Sequence, residues 1–241
     1  MHNRGVDRAL GGALIHRSVM AALALLGALV SAPAIAARSF FTDYADVIEP
    51  HNCEMEFAST PQHARASENE RSDSAPLACG VGLQTGIAGA RVSRGNDHWP
   101  AFAFVGKTAL RRLDDGQLGV ALAYSVVAEK LPGDDFKQSR ASALLVATES
   151  RMPVLIHANL GVTHDRIVGS NTNLWAFAAE HVGERLGYGA EAFGEGTRSA
   201  WLGAGARYAV VPDRVILDTA FAARSNSSRA RRATIGLTLA F

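Results

Sequence analysis

Seven polar residues are spaced so that they could act together: Lys107, His157, Asn159, Glu180, Glu191, Arg207 and Asp218. In the segments that carry them, apolar side chains recur at every second position, which sets these seven on the opposite face of extended chain. Each falls about two to five residues from the same end of its segment, so at roughly 3.3 Å per residue they occupy one layer. A layer of this kind can select or gate a solute. It can equally be a mutually satisfied ion-pair network that fills an interior, because buried charges need partners. Glu191, Arg207 and Asp218 come from consecutive segments and could pair directly.

Other chemistry has less to work with. His164 could act as a general base, but position 162 is Val and 166 is Arg, and a base without a nearby hydroxyl cannot activate a nucleophile. His51, His63, His98 and His181 are scattered over segment ends, with no pair at ligand spacing on a shared face, so no metal site is expected. Gly80, Gly82, Gly86 and Gly89 belong to strand and turn patterns and open no helix that could cradle a phosphate. Neither an enzyme nor a cofactor is expected. The formal net charge of +1 is too balanced for an electrostatic nucleic-acid binder.

The elements that position the seven are about twelve extended segments, near 53 to 60, 71 to 79, 83 to 93, 98 to 111, 117 to 129, 139 to 149, 153 to 164, 171 to 181, 186 to 195, 199 to 211, 214 to 225 and 231 to 241. The last is the clearest. Ala233, Ile235, Leu237, Leu239 and Phe241 alternate with Arg232, Thr234, Gly236, Thr238 and Ala240. Leu202, Tyr208 and Val210 face away from Gly203, Gly205 and Arg207, and Ile156, Leu160 and Val162 away from His157, Asn159 and Gly161. In each segment the second face is small or polar, the character of a barrel lumen; a sandwich core would reverse it. Segments this long suit tilted strands crossing a bilayer. The fold class expected is therefore all-β, a transmembrane antiparallel up-and-down β-barrel of about 12 strands. The Gly-rich run through the second and third segments could instead be one long strand, which would make the count odd. Short connections at Gly80 to Gly82, Leu113 to Gly116, Ser150 to Pro153, Gly183 to Arg185 and Pro212 to Asp213 alternate with longer ones such as Lys130 to Gln138 and Asp165 to Ser170. Short turns on the periplasmic side and longer loops outside fit an outer-membrane barrel with both ends in the periplasm.

The N-terminus points to the same compartment. Arg4, Arg8, His16 and Arg17 precede an apolar run from Val19 to Val30, and Ala34 and Ala36 supply an A-x-A cleavage pattern. Residues 1–36 read as a signal peptide, since the run is shorter than the ~20 residues of a spanning helix. Residues 37–52 then form either a periplasmic lead or a plug, and 53–241 the barrel. With the first segment rising from Cys53 and the second descending to Cys79, both thiols reach one rim on neighbouring strands. A disulfide is expected there, two buried free thiols being the alternative.

The segment Ala37-Arg-Ser-Phe-Phe-Thr-Asp-Tyr-Ala-Asp-Val-Ile-Glu-Pro-His-Asn-Cys-Glu-Met-Glu-Phe57 resembles the opening of bacterial outer-membrane proteins of the meta-pathway-of-phenol-degradation family, with Tyr44 where that family has a second Asp. The resemblance continues in Val105-Gly-Lys107, His157-Ala-Asn-Leu-Gly161, Leu202-Gly-Ala-Gly-Ala-Arg-Tyr208 and Ile235-Gly-Leu-Thr-Leu-Ala-Phe241. It implies a Gram-negative outer-membrane barrel of the transporter kind. A passive channel or transporter for small hydrophobic or aromatic solutes is the function expected, against a closed structural or interaction barrel and, further off, a lipid hydrolase. The partners expected are outer-membrane lipid and the barrel-assembly machinery, the latter through the strand ending at Phe241.

Overall fold

The computed structural model describes residues 40–63, 69–198 and 200–241. The expected signal peptide lies outside the described residues. Twelve strands follow one another: β1 (Cys53–His63), β2 (Glu70–Gly80), β3 (Gln84–Arg94), β4 (Asp97–Arg111), β5 (Leu118–Glu129), β6 (Lys137–Arg151), β7 (Val154–Asp165), β8 (Ser170–Val182), β9 (Leu186–Glu195), β10 (Trp201–Val211), β11 (Val215–Arg224) and β12 (Ser227–Ala240). Each pairs antiparallel with its neighbours, and β12 returns to β1, so the sheet is a closed barrel. The Gly-rich run forms two strands, turning over residues 81–83.

Period-two alternation decides which way every side chain points. On β12, Ile235 is 69% exposed while Thr238 is 1% exposed. Phe57, Phe104, Leu160, Phe177, Leu202, Leu217 and Phe221 all stand on the outside, giving an apolar outer belt that has no place in water. The inside carries polar and small residues, among them Glu54, Gln84, Thr148, Ser150 and Ala222.

Closure is firm at the lower rim. Cys53 N–H donates to Phe241 O at 2.7 Å, and Phe241 N–H returns to Cys53 O at 2.9 Å. Cys53 and Cys79 are directly opposed with Cα atoms 4.1 Å apart and their sulfurs bonded. Higher up, the two ladders of β1 lapse where proline lacks an N–H: opposite Pro76 between the pairs Met55↔Leu77 and Ala58↔Ser74, and around Pro61 between Ser59↔Ile235 and Gln62↔Arg232.

Connection length does not mark the two rims as cleanly as the sequence predicts. The upper connections at 95–96 and 225–226 are two-residue hairpins, no longer than the lower turn at 152–153, and the lower connection at 112–117 is among the long ones. Residues 227–230, which fall between the last two segments expected from the sequence, are strand, because β12 begins at Ser227 and pairs to the end of β11. At the other short hairpin, Gly95 takes φ 61°, the left-handed geometry that a two-residue turn demands.

Candidate functional site: the occupied lower lumen

Residues 40–52 run inside the barrel, from the lower rim at Asn52 to the upper part of the lumen at Phe41. The segment has no regular structure of its own, so its backbone donors must be satisfied by the wall. Glu191 of β9 accepts from Phe41 N–H at 3.1 Å, Thr42 N–H at 2.9 Å and the Thr42 hydroxyl at 2.8 Å. Ala45 N–H donates to Thr148 Oγ1 of β6 at 2.8 Å, and Ile48 N–H to Gln84 Oε1 of β3 at 3.3 Å. Ala45 is fully buried against Ala121 and Val146.

Lys107 of β4 is the second anchor. Its ammonium donates to Asp43 Oδ1 at 2.8 Å, Tyr44 O at 3.0 Å and Asp46 O at 3.2 Å, using its three hydrogens, and lies 4.6 Å from the centre of the Tyr44 ring. Tyr44 thus contributes a ring face to the cation that Asp43 neutralises. Below, the Glu49 carbonyl presses on Gly80, where any Cβ would collide with it, and His51 N–H donates to Gly80 O at 3.1 Å. Burial raises the Asp46 carboxyl above the ordinary carboxylate range, against the lowering effects of the Val47 N–H and Lys107.

The other predicted residues face inward too, but bind the wall. Thr148 Oγ1, already accepting from Ala45, lies 3.0 Å from His157 Nδ1 of β7, and His157 Nε2 lies 3.6 Å from Glu180 Oε2 of β8. Arg207 of β10 places Nη2 2.7 Å from Glu180 Oε1, an ion pair whose angle is off that of a hydrogen bond. To reach Glu180 it crosses β9 at Gly187, where an added Cβ would sit 2.8 Å from Arg207 Nε. The direct pairing anticipated among Glu191, Arg207 and Asp218 is corrected here. Glu191 turns to the plug, Arg207 pairs with Glu180, and Asp218 fills the space left by the missing side chain of Gly236, its carboxylate 2.5 Å from where that Cβ would lie. Asn159, 1% exposed, has neither amide atom hydrogen-bonded.

At the upper end of residues 40–52 the lumen is aromatic and basic. Phe41 lies 4.8 Å from Phe193, which stacks on Trp201 at 6.2 Å. The Arg232 guanidinium stands 4.6 Å from the Phe41 ring and 5.3 Å from Trp201, and donates through Nε to Gln62 Oε1 at 2.8 Å. Across the lumen Trp99 donates to Glu129 at 3.2 Å. A cavity of about 230 Å³ remains beside the plug, lined by Phe41, Gln84, Val105, Lys107, Ala123 and Leu144. A wider vestibule of about 540 Å³ opens at the upper rim between Glu129, Leu131, Asp134, Lys137, Arg166 and Ile167. Thr148, Gln84 and Arg232 carry the same inward signal by alternation as the seven predicted residues. Phe41, Thr42 and Asp43 carry no periodic signal at all.

His164, on the outer face, shares Nδ1 with Asn171 Oδ1 at 2.8 Å. Among the described residues, no group of three or more His, Cys, Asp and Glu is placed to hold a metal.

A family model described as "Uncharacterised conserved protein UCP029691" matches residues 24–241. The chain belongs to this family. No curated protein matches it. Among solved structures, the barrel is similar to the KdgM porin, with a TM-score of 0.56 at 9% identity over 78% of this chain and 99% of that one. It is also similar to the NanC porin, with a TM-score of 0.52 at 7% identity over 77% and 98%. At such identities the likeness is one of fold: a closed antiparallel porin barrel. The resemblance to the phenol-degradation family stands on its sequence motifs alone.

Proposed function

We propose that this protein is an outer-membrane channel, exported by a cleaved signal peptide, that passes small hydrophobic or aromatic solutes and is closed at rest by residues 40–52. The observation that carries this reading is the way the plug is held. Lys107 and Glu191 spend their hydrogen-bonding capacity on the backbone and side chains of a segment that is not part of the sheet. Taking that segment away leaves the twelve-strand ladder complete, since it makes one isolated bridge, Pro50 to Gly80, and no strand. The aromatic upper lumen and a cavity smaller than the ~300 Å³ at which drug-sized pockets begin suit a single ring better than a bulky polar solute. Insertion through the barrel-assembly machinery, guided by the strand ending at Phe241, belongs to the same reading, as does the absence of catalysis.

Planar-bilayer conductance tests it. Full-length protein should pass little current, and a variant lacking residues 40–50 should open stable channels while keeping heat-modifiable migration. A folded deletion variant that stays silent would leave a closed structural or interaction barrel as the function.

A further inference from the structure

On the outer surface of β12, β1, β2 and β3 the structure assigns a groove for an anionic lipid, one with a phosphate headgroup and acyl chains. This rests on the outer-membrane reading above, which puts the groove's upper end at the level of the outer headgroups. The apolar belt is interrupted there. Three neighbouring strands present small residues outward, Ser59, Ala75 and Gly89, while Phe57, Leu217 and Ile235 stand up as a wall. The result is an open trough of about 620 Å³ whose surface is almost wholly carbon. It lies across the stretch where Pro76 and Pro61 interrupt the ladders of β1.

Small residues alone would not name an occupant; the charges at the trough's upper end do. Asp73 and Arg91 are a cross-strand pair, and Asp73 already accepts from Arg71 Nε at 2.9 Å. Asp73 is thus committed to Arg71, and among the described residues Arg91 forms no ion pair, so its donors lie unused beside a hydrocarbon surface. Alternation also turns Lys130 outward, one residue past inward-facing Glu129, with its N–H on Pro100 O at 3.1 Å, and Arg231 is exposed across from His63. The cations thus form an arc along β12 to β5. At the corresponding outward positions, the described residues of β7 and β8 offer His164, Asn171 and Asn173. A guanidinium fork matches a phosphate bidentately, and the plane between headgroups and acyl chains is where such a contact loses least to water. A phosphate on Arg91 and Arg71 would drop its chains down the trough over Gly89.

Two variants separate head from chain. Arg71→Gln with Arg91→Gln removes the charge at the trough's upper end and leaves its apolar floor and wall in place. Gly89→Leu fills the trough, and its Cβ would meet only the Phe102 ring at 3.9 Å, so the strand accommodates it. Full-length protein refolded in detergent is mixed with bis-phosphorylated lipid A, its dephosphorylated form, or inorganic phosphate, and retained lipid is counted by native mass spectrometry. Wild type should retain the phosphorylated lipid, and each variant should lose about tenfold, the scale of one charge-assisted contact. Equal retention by the double Gln variant, equal retention of the dephosphorylated lipid, or capture of inorganic phosphate with no lipid preference would overturn the assignment. Conductance of the variant lacking residues 40–50, measured alongside, reports separately on the channel: if that variant stays silent while full-length protein holds the lipid through Arg91, the channel falls and the groove stands.

Discussion

Two sets of polar residues share the lumen and make different contacts. Lys107 and Glu191 reach across to residues 40–52, whereas His157, Glu180 and Arg207 reach sideways and tie β7, β8 and β10 together. Both sets are buried, and both look alike in sequence. What separates them is the partner: a detachable segment in one case, the wall in the other. Holding residues 40–52 and bracing the wall thus fall to different residues, and on the channel proposed above only the first set would gate.

The sharpest way to break that division is Lys107→Met. Removing one partner of a buried pair costs about 3–5 kcal/mol, here drawn from plug seating, because Asp43 and two carbonyls lose their donor while the wall keeps its ladder. We expect residues 40–50 to become cleavable by added protease and conductance to rise, with heat-modifiable migration unchanged. Loss of the folded barrel instead would put Lys107 with the braces.

Arg207→Ala should do the converse. Glu180 is left buried without its cation, so the barrel should lose about 3 kcal/mol of stability in urea titration while conductance stays low. If this variant opens the channel with stability intact, the ring does not divide as described.

The smallest effect is a pH dependence. Burial raises the Asp46 pKa above its ordinary value of 3.8, so the seated plug binds a proton more tightly than the released one. Seating is therefore strengthened as pH falls into the window between that value and the raised one, and weakened as Asp46 ionises above it. Asp46→Asn should flatten protease protection across the window and hold the plug more firmly at neutral pH. A variant as pH-sensitive as wild type would assign the dependence to another group.

The inward orientation of the ring was legible because it depends only on a repeat of two: one clear register on a strand fixes every side chain on it. What the ring touches was not. Glu191 and Thr42 are 149 residues apart, and residues 40–52 have no periodicity from which a path through the lumen could be read. The short route from Arg207 to Glu180 depends on Gly187, whose missing side chain has meaning only once β9 is known to lie between them. Trp99 and Trp201 open or nearly open their strands, where alternation has too few neighbours to set a face, and so the aromatic upper lumen was hidden. Loop length failed as a guide to the rims because hairpins at Gly95 and Ser225 need no more residues than a lower turn.

The bond between Cys53 and Cys79 bears on the order of events during assembly. It joins the first strand to the second across a separation of 26 residues, at the opposite end of the chain from β12. In an oxidising compartment the link can form before any other part of the sheet exists, and it fixes which residues of β1 and β2 face each other. Because residues 40–52 run directly into Cys53, the same covalent staple sets the point from which the plug enters. On the export proposed above, a chain kept reduced would reach closure with neither the register of its first hairpin nor the entry point of residues 40–52 fixed beforehand.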